Sequence, residues 1–138
     1  MTEKSQYLKP LPDILPETAE FWLATVNHIL MFQQCRTCGK RIYFPRMFCC
    51  HCLSKDLHWV ASQGLGTVYS FTIIHQAANE AFTRDVPYVY AIIELDEGYR
   101  MISNIINISP DQVVIGMRVK VVFEDATDKI SIPRFEPL

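Results

Sequence analysis

The chain has 138 residues, 49% of them hydrophobic, and its 13 Lys and Arg stand against 15 Asp and Glu for a formal net charge of −2. That size and apolar content predict one small domain, or a domain with an appendage, and exclude disorder. The charge balance argues against gripping nucleic acid by charge alone, which needs a basic surplus to displace counterions.

The first zone, residues 1–34, opens on an extended segment punctuated by Pro10, Pro12 and Pro16. Phe21, Trp22, Thr25, Val26, Ile29 and Leu30 then recur at alternating steps of one and three, the stripe of an amphipathic helix. Pro16 suits a first helical turn, and Glu17 and Glu20 suit the positive helix N-terminus. These signals predict a helix over 16–28 and a short strand over 29–34. No apolar run reaches the roughly 18 residues of a membrane span. Met1-Thr2-Glu3-Lys4 leads into no apolar signal core, so a cytoplasmic protein is expected.

The second zone, 35–56, holds all five cysteines with Gly39 and Pro45 and little periodicity. It reads as two tight turns flanking a short hairpin. The third zone, 57–138, reads as β throughout, with strands over 67–74, 88–95 and 99–106, then about 119–124 and 129–132, the last stopped by Pro133. Asp96-Glu97-Gly98 marks a hairpin turn between the second and third of these. Five strands with close turn signals in about 80 residues predict a Greek-key barrel of the OB type, with a small sandwich as the competing arrangement.

The strongest chemical signal is Cys35-x2-Cys38, ten intervening residues, then Cys49-x2-Cys52. A two-residue spacer lets one tight turn direct two thiolates at one ion, and two such turns complete the soft tetrahedron that Zn²⁺ prefers. One zinc per chain is expected, and an isolated iron could use the same ligands. Cys50 is the alternative to Cys49, less suited because Cys50-x-Cys52 lacks the spacer. His51 is expected to face solvent. A disulfide framework would spread an even number of cysteines along the chain. A closed four-thiolate site leaves no open position for substrate, so the metal is expected to be structural.

Gln34-Cys35-Arg36-Thr37-Cys38-Gly39, then Phe44-Pro45-Arg46 before Cys49-x2-Cys52, resembles the zinc-ribbon plus OB-fold family of acyl-CoA-associated proteins. Val86-Pro87-Tyr88-Val89, Ile93 to Gly98, Ile115 to Val119 and Ile132-Pro133-Arg134-Phe135 agree in the same order. One departure is Cys50, where that family usually has proline. The resemblance implies a mainly β chain: an N-terminal helix, a rubredoxin-like zinc ribbon and a C-terminal five-stranded OB-type barrel. Family members are small subunits of thiolases, of hydroxymethylglutaryl-CoA synthase assemblies and of thiolase-like aldolases. The implied role is a noncatalytic accessory subunit that docks on a thiolase-fold enzyme and supports acyl-CoA binding or turnover, the partner carrying the bond chemistry. The alternative is a single-stranded nucleic-acid-binding OB-fold protein, which the net charge disfavours.

Candidate CoA or partner contacts follow from that role. Arg46 and Arg41, with Lys40, lie in or beside the metal hairpin, and guanidinium matches phosphate in a forked geometry. Phe44 could line a pantetheine channel or fill the ribbon core. Phe82 and Arg84 sit in the polar stretch after His75, the longest interruption of the barrel, where loops often carry contacts. His75, Glu80 and Asp85 lack a nucleophile or an orienting partner, so no catalytic residue is assigned. The helix face with Phe21 and Trp22 could cap the barrel or the ribbon, or dock a partner. His28 and His58 read as structural. Tyr69, Phe71, Tyr88, Tyr90 and Tyr99 read as core-filling aromatics, with base stacking as their other use.

Overall fold

The computed structural model describes residues 7–138; the first residues of the expected extended segment lie outside the described residues. Among the described residues one α-helix, α1, spans Ala19–Val26. It starts three residues later than expected because Thr18 turns back on Leu15: the Leu15 N–H donates to Thr18 Oγ1 at 2.9 Å and the Thr18 N–H to the Leu15 carbonyl at 3.0 Å. Phe21, Trp22 and Thr25 form its buried face, while Ile29 and Leu30 belong to the link that follows.

Two sheets follow. Strands β1 (Met31–Cys35), β2 (Arg41–Ile42) and β3 (Leu57–Ala61) form a small antiparallel sheet in the order β2-β1-β3. Strand β3, grouped with the barrel in the expected division at 56/57, pairs in register with β1 from Leu57↔Cys35 to Ala61↔Met31. Strands β4 (Leu65–Ile74), β5 (Tyr88–Leu95), β6 (Arg100–Ile105), β7 (Arg118–Asp125) and β8 (Ser131–Pro137) close a barrel in the order β4-β5-β6-β8-β7. This is the expected five-stranded OB-type closure.

Closure depends on close backbone approach at one point. Gly66 pairs with Leu95 on β5 and with Val119 on β7, and a Cβ there would lie 2.7 Å from the Glu94 carbonyl oxygen. Only glycine fits. The last strand corrects an expectation: Pro133 lies inside β8 rather than ending it. The Phe135 carbonyl accepts from Ile106 N–H on the β6 side, and Pro133, two residues earlier, faces the same way and accepts from Ser103 Oγ at 2.8 Å. Its missing N–H therefore falls where the β6–β8 ladder is almost absent, with Ile105↔Phe135 its one paired position.

The barrel interior is filled by the odd-numbered residues of β5 and β6 (Val89, Ala91, Ile93 and Leu95, with Met101 and Ile105), together with Val68, Val119 and Phe135. Aromatic rings join it to the smaller sheet. Phe32 of β1 lies 4.7 Å from Tyr99, Tyr99 stacks at 5.9 Å on Tyr43, and Tyr43 meets Phe21 edge-on at 5.9 Å. The helix also ties to β8, where Ser131 N–H donates to Thr25 Oγ1 at 3.2 Å. Its buried face is thus consumed inside this chain; Leu23, on the opposite side, is exposed.

Candidate functional site

Two matching turns carry the cysteines. In the first, Gly39 N–H donates to the Cys35 carbonyl and Cys35 N–H to the Lys40 carbonyl, both at 2.9 Å. In the second, Leu53 N–H donates to the Cys49 carbonyl at 2.9 Å and Cys49 N–H to the Ser54 carbonyl at 2.8 Å. The residue after each Cys-x2-Cys takes a left-handed conformation, φ 77° at Gly39 and φ 65° at Leu53. Glycine adopts this freely; leucine does so against its Cβ. The turns are held together by Thr37 Oγ1 to Ser54 Oγ at 2.8 Å and by Arg36 N–H to the Asp56 carbonyl at 2.9 Å. Gln33, buried beside them, clamps the connecting hairpin: its amide donates to the Arg46 carbonyl at 2.9 Å and accepts Arg46 N–H at 2.8 Å.

The result gathers four sulfurs. Those of Cys35, Cys38, Cys49 and Cys52 all lie within 4.8 Å of one another, with Cys35–Cys52 and Cys38–Cys49 each at 3.6 Å. Zinc–thiolate bonds of about 2.3 Å set tetrahedral S···S edges near 3.8 Å, so the four residues fit a metal ion. Backbone donors face the sulfurs, with Cys38 N–H 3.5 Å from Cys35 Sγ and His51 N–H 3.3 Å from Cys49 Sγ. The Cys38 N–H draws the Cys35 thiol down to about 6. At Cys52 the Ser54 N–H pulls the same way, but burial and the neighbouring sulfurs outweigh it and push that thiol up to about 12. So dense a group of sulfurs resists full ionisation until a cation neutralises it. Cys49 is buried and belongs to the group; Cys50 and His51 point outward.

The other expected contacts divide into two places. Phe44 is 43% exposed, edge-on to Phe21 and Tyr43, and helps line a depression of about 530 Å³ with Ile92, Arg100 and Ile102. Arg41 lies beside the Gly98 turn of the barrel, and Arg46 is exposed on the ribbon. Phe82 instead borders a depression of about 390 Å³ with Tyr88, Asn104, Glu124 and Arg134, and Arg84 is exposed near it in sequence. Asp85 pairs with Lys9 at 3.0 Å, and no hydrogen bond joins it to His75 or Glu80 among the described residues.

A third depression of about 210 Å³ bridges the two, sharing Tyr43, Met101 and Ile102 with the first and Asn104 with the second. Together they trace a trough over the outer face of β5 and β6, the second and third barrel strands, which is the face OB folds use for ligands. Sequence reasoning missed this face by assigning its aromatics to the core. Tyr99 is buried, but Tyr69 and Tyr90 are 46% and 44% exposed on the outside. The alternation of β5, with Val89, Ala91 and Ile93 inward, was the signal that would have found Tyr90.

Comparison with known proteins agrees with both halves. Residues 23–58 match the ChsH2 rubredoxin-like zinc ribbon domain and residues 59–124 the ChsH2 C-terminal OB-fold domain. A DUF35 domain-containing scaffold protein of Methanocaldococcus jannaschii is 38% identical over 75% of this chain and 77% of its own length. A protein of Thermomonospora curvata described as a probable enoyl-CoA hydratase alpha subunit is 35% identical over 98% of this chain, but the chain spans only 42% of that relative. Among solved structures, the Ltp2-ChsH2(DUF35) aldolase superposes with a TM-score of 0.81 at 35% identity, covering 92% of this chain and 98% of that one.

Proposed function

The chain belongs to the DUF35 family of ChsH2-type proteins, a zinc ribbon joined to an OB-fold barrel, and from that premise we propose that it is a noncatalytic accessory subunit that docks on a thiolase-fold enzyme and supports acyl-CoA binding or turnover. The observation that carries this reading is the match, at 35% identity and a TM-score of 0.81, to a chain of the Ltp2-ChsH2(DUF35) aldolase. The trough over β5 and β6 supports it, because its walls are largely apolar and an extended ligand could follow its length.

In this reading Phe44 and Arg41 meet the ligand or partner at one end of the trough and Phe82 and Arg84 at the other, with Arg46 beside the ribbon end. Cys35, Cys38, Cys49 and Cys52 hold one zinc ion, or iron, whose role is to fix the ribbon. The protein acts in the cytoplasm as part of a hetero-oligomer.

The test is reconstitution. Co-expressed with a thiolase-like protein from the same source, the chain should form a stable complex that turns over an acyl-CoA, while the chain alone should show no turnover. A lasting lone monomer, or tight and salt-sensitive binding of single-stranded DNA at low ionic strength, would overturn the reading.

A further inference from the structure

The charges of this protein are segregated. Residues 31–61 carry five cations (Arg36, Lys40, Arg41, Arg46 and Lys55) against one acid, Asp56, whereas residues 62–138 carry six cations against ten acids. The barrel cations are mostly spent internally: Arg100, Arg118, Lys120 and Arg134 each pair with a carboxylate. In the ribbon, among the described residues, only Arg36 does so, with Asp56. Lys40, Arg41, Arg46 and Lys55 are exposed and form no ion pair among the described residues. A Zn²⁺ ion with four thiolates would contribute about −2, which still leaves the ribbon positive.

The same segment exposes large apolar side chains. Met47 and Leu53 are each 70% exposed and Phe48 47%, all within or just before the second cysteine turn. The ribbon's own buried cluster holds only Cys35, Ile42 and Cys49, with Leu57 against it. A unit this poor in core leaves three large apolar residues outside it. Exposed apolar residues and unneutralised cations in one short segment match the composition of a protein interface, apolar anchors together with complementary charge.

We propose that the metal-bearing end of the ribbon is the docking face, and that it fits a compact acidic patch with an apolar centre on the partner enzyme. This rests on the accessory-subunit reading and says which surface serves it. A protein patch is favoured over a long polyanion or an anionic bilayer, because either would extend along the acidic barrel and be repelled there.

The experiment purifies the tagged full-length chain with its partner, identified by mass spectrometry, and measures complex affinity at two ionic strengths. Met47→Ser/Lys55→Glu should weaken the complex at least tenfold while metal content and circular dichroism stay unchanged. Val114→Ser/Ile115→Ser, at an exposed barrel loop, should leave affinity unaltered, and wild-type affinity should fall as salt rises. If the wild type forms no complex, the accessory-subunit reading fails and this one with it. If the complex forms but the ribbon variant binds as tightly as wild type, or the barrel variant is equally weakened, the docking face is wrong and the reading stands. Single-stranded DNA bound by the wild type and lost in the ribbon variant would also overturn it.

Discussion

The ribbon and the barrel reach order by different routes. The barrel buries a continuous apolar interior, with Val68, Ile93, Leu95, Val119 and Phe135 almost wholly inaccessible. The ribbon buries one aliphatic side chain fully, Ile42, beside two cysteines. Its remaining order comes from paired backbone hydrogen bonds, from sulfurs aimed at a common centre, and from Phe32 and Tyr43 packed against the barrel. One region is thus specified by volume, which tolerates exchange among apolar residues, and the other by ligand geometry, which does not.

That contrast can be broken at either end. Cys35→Ser removes one of the four proposed ligands and should forfeit much of the roughly 10 kcal/mol that a structural zinc would contribute to folding. Thermal melts and metal analysis should show a metal-poor protein, insoluble or with a disordered ribbon. Phe135→Ala attacks the barrel through its volume instead. Phe135 is fully buried, so the change should cost about 3–5 kcal/mol by urea denaturation and leave metal content unaffected in the folded fraction.

Smaller effects sharpen the comparison. Leu53 holds φ 65° where the equivalent residue of the first turn is Gly39. Leu53→Gly should relieve about 1 kcal/mol of backbone strain, read as a modest rise in melting temperature of the metal-bound protein. The smallest effect belongs to the barrel surface. Arg118 hydrogen-bonds Asp96 through two N–H groups at 2.7 Å and holds its carboxyl below the ordinary value of 3.8. A carboxylate depressed by folding adds stability above its unfolded pKa and loses it as pH falls through the folded one. The gap between wild type and Asp96→Asn in urea midpoint should therefore be present at pH 7 and shrink toward pH 3. Acid release of metal affects both proteins alike and cancels in the difference.

Much of this was legible in the sequence, for reasons that follow the same contrast. The cysteine turns are local: ligand, spacer and closing residue lie within six positions, so Cys35 to Lys40 and Cys49 to Ser54 declare themselves. Barrel strands were also legible, β5 to the residue, because β-branched and aromatic runs end at marked turns. What was hidden depends on distant pairing. Pro133 looks like a strand end until one knows that its nitrogen faces the sparse β6 edge. Strand β3 looks like the first part of the barrel until Leu57 is seen opposite Cys35. Tyr69 sits at a register shift between Val68 and Ser70, and no count along the chain predicts which way it turns. The trough was missed for the same reason: it is assembled from α1, the ribbon and four barrel strands.

If a metal ion builds the ribbon while the barrel builds itself, hydrogen exchange with and without a strong chelator separates the two directly. Slow exchange across residues 31–61 in the metal-bound protein, lost on chelation while the β5 and β6 amides stay protected, is the predicted result. Equal protection of 31–61 in metal-free protein would contradict it.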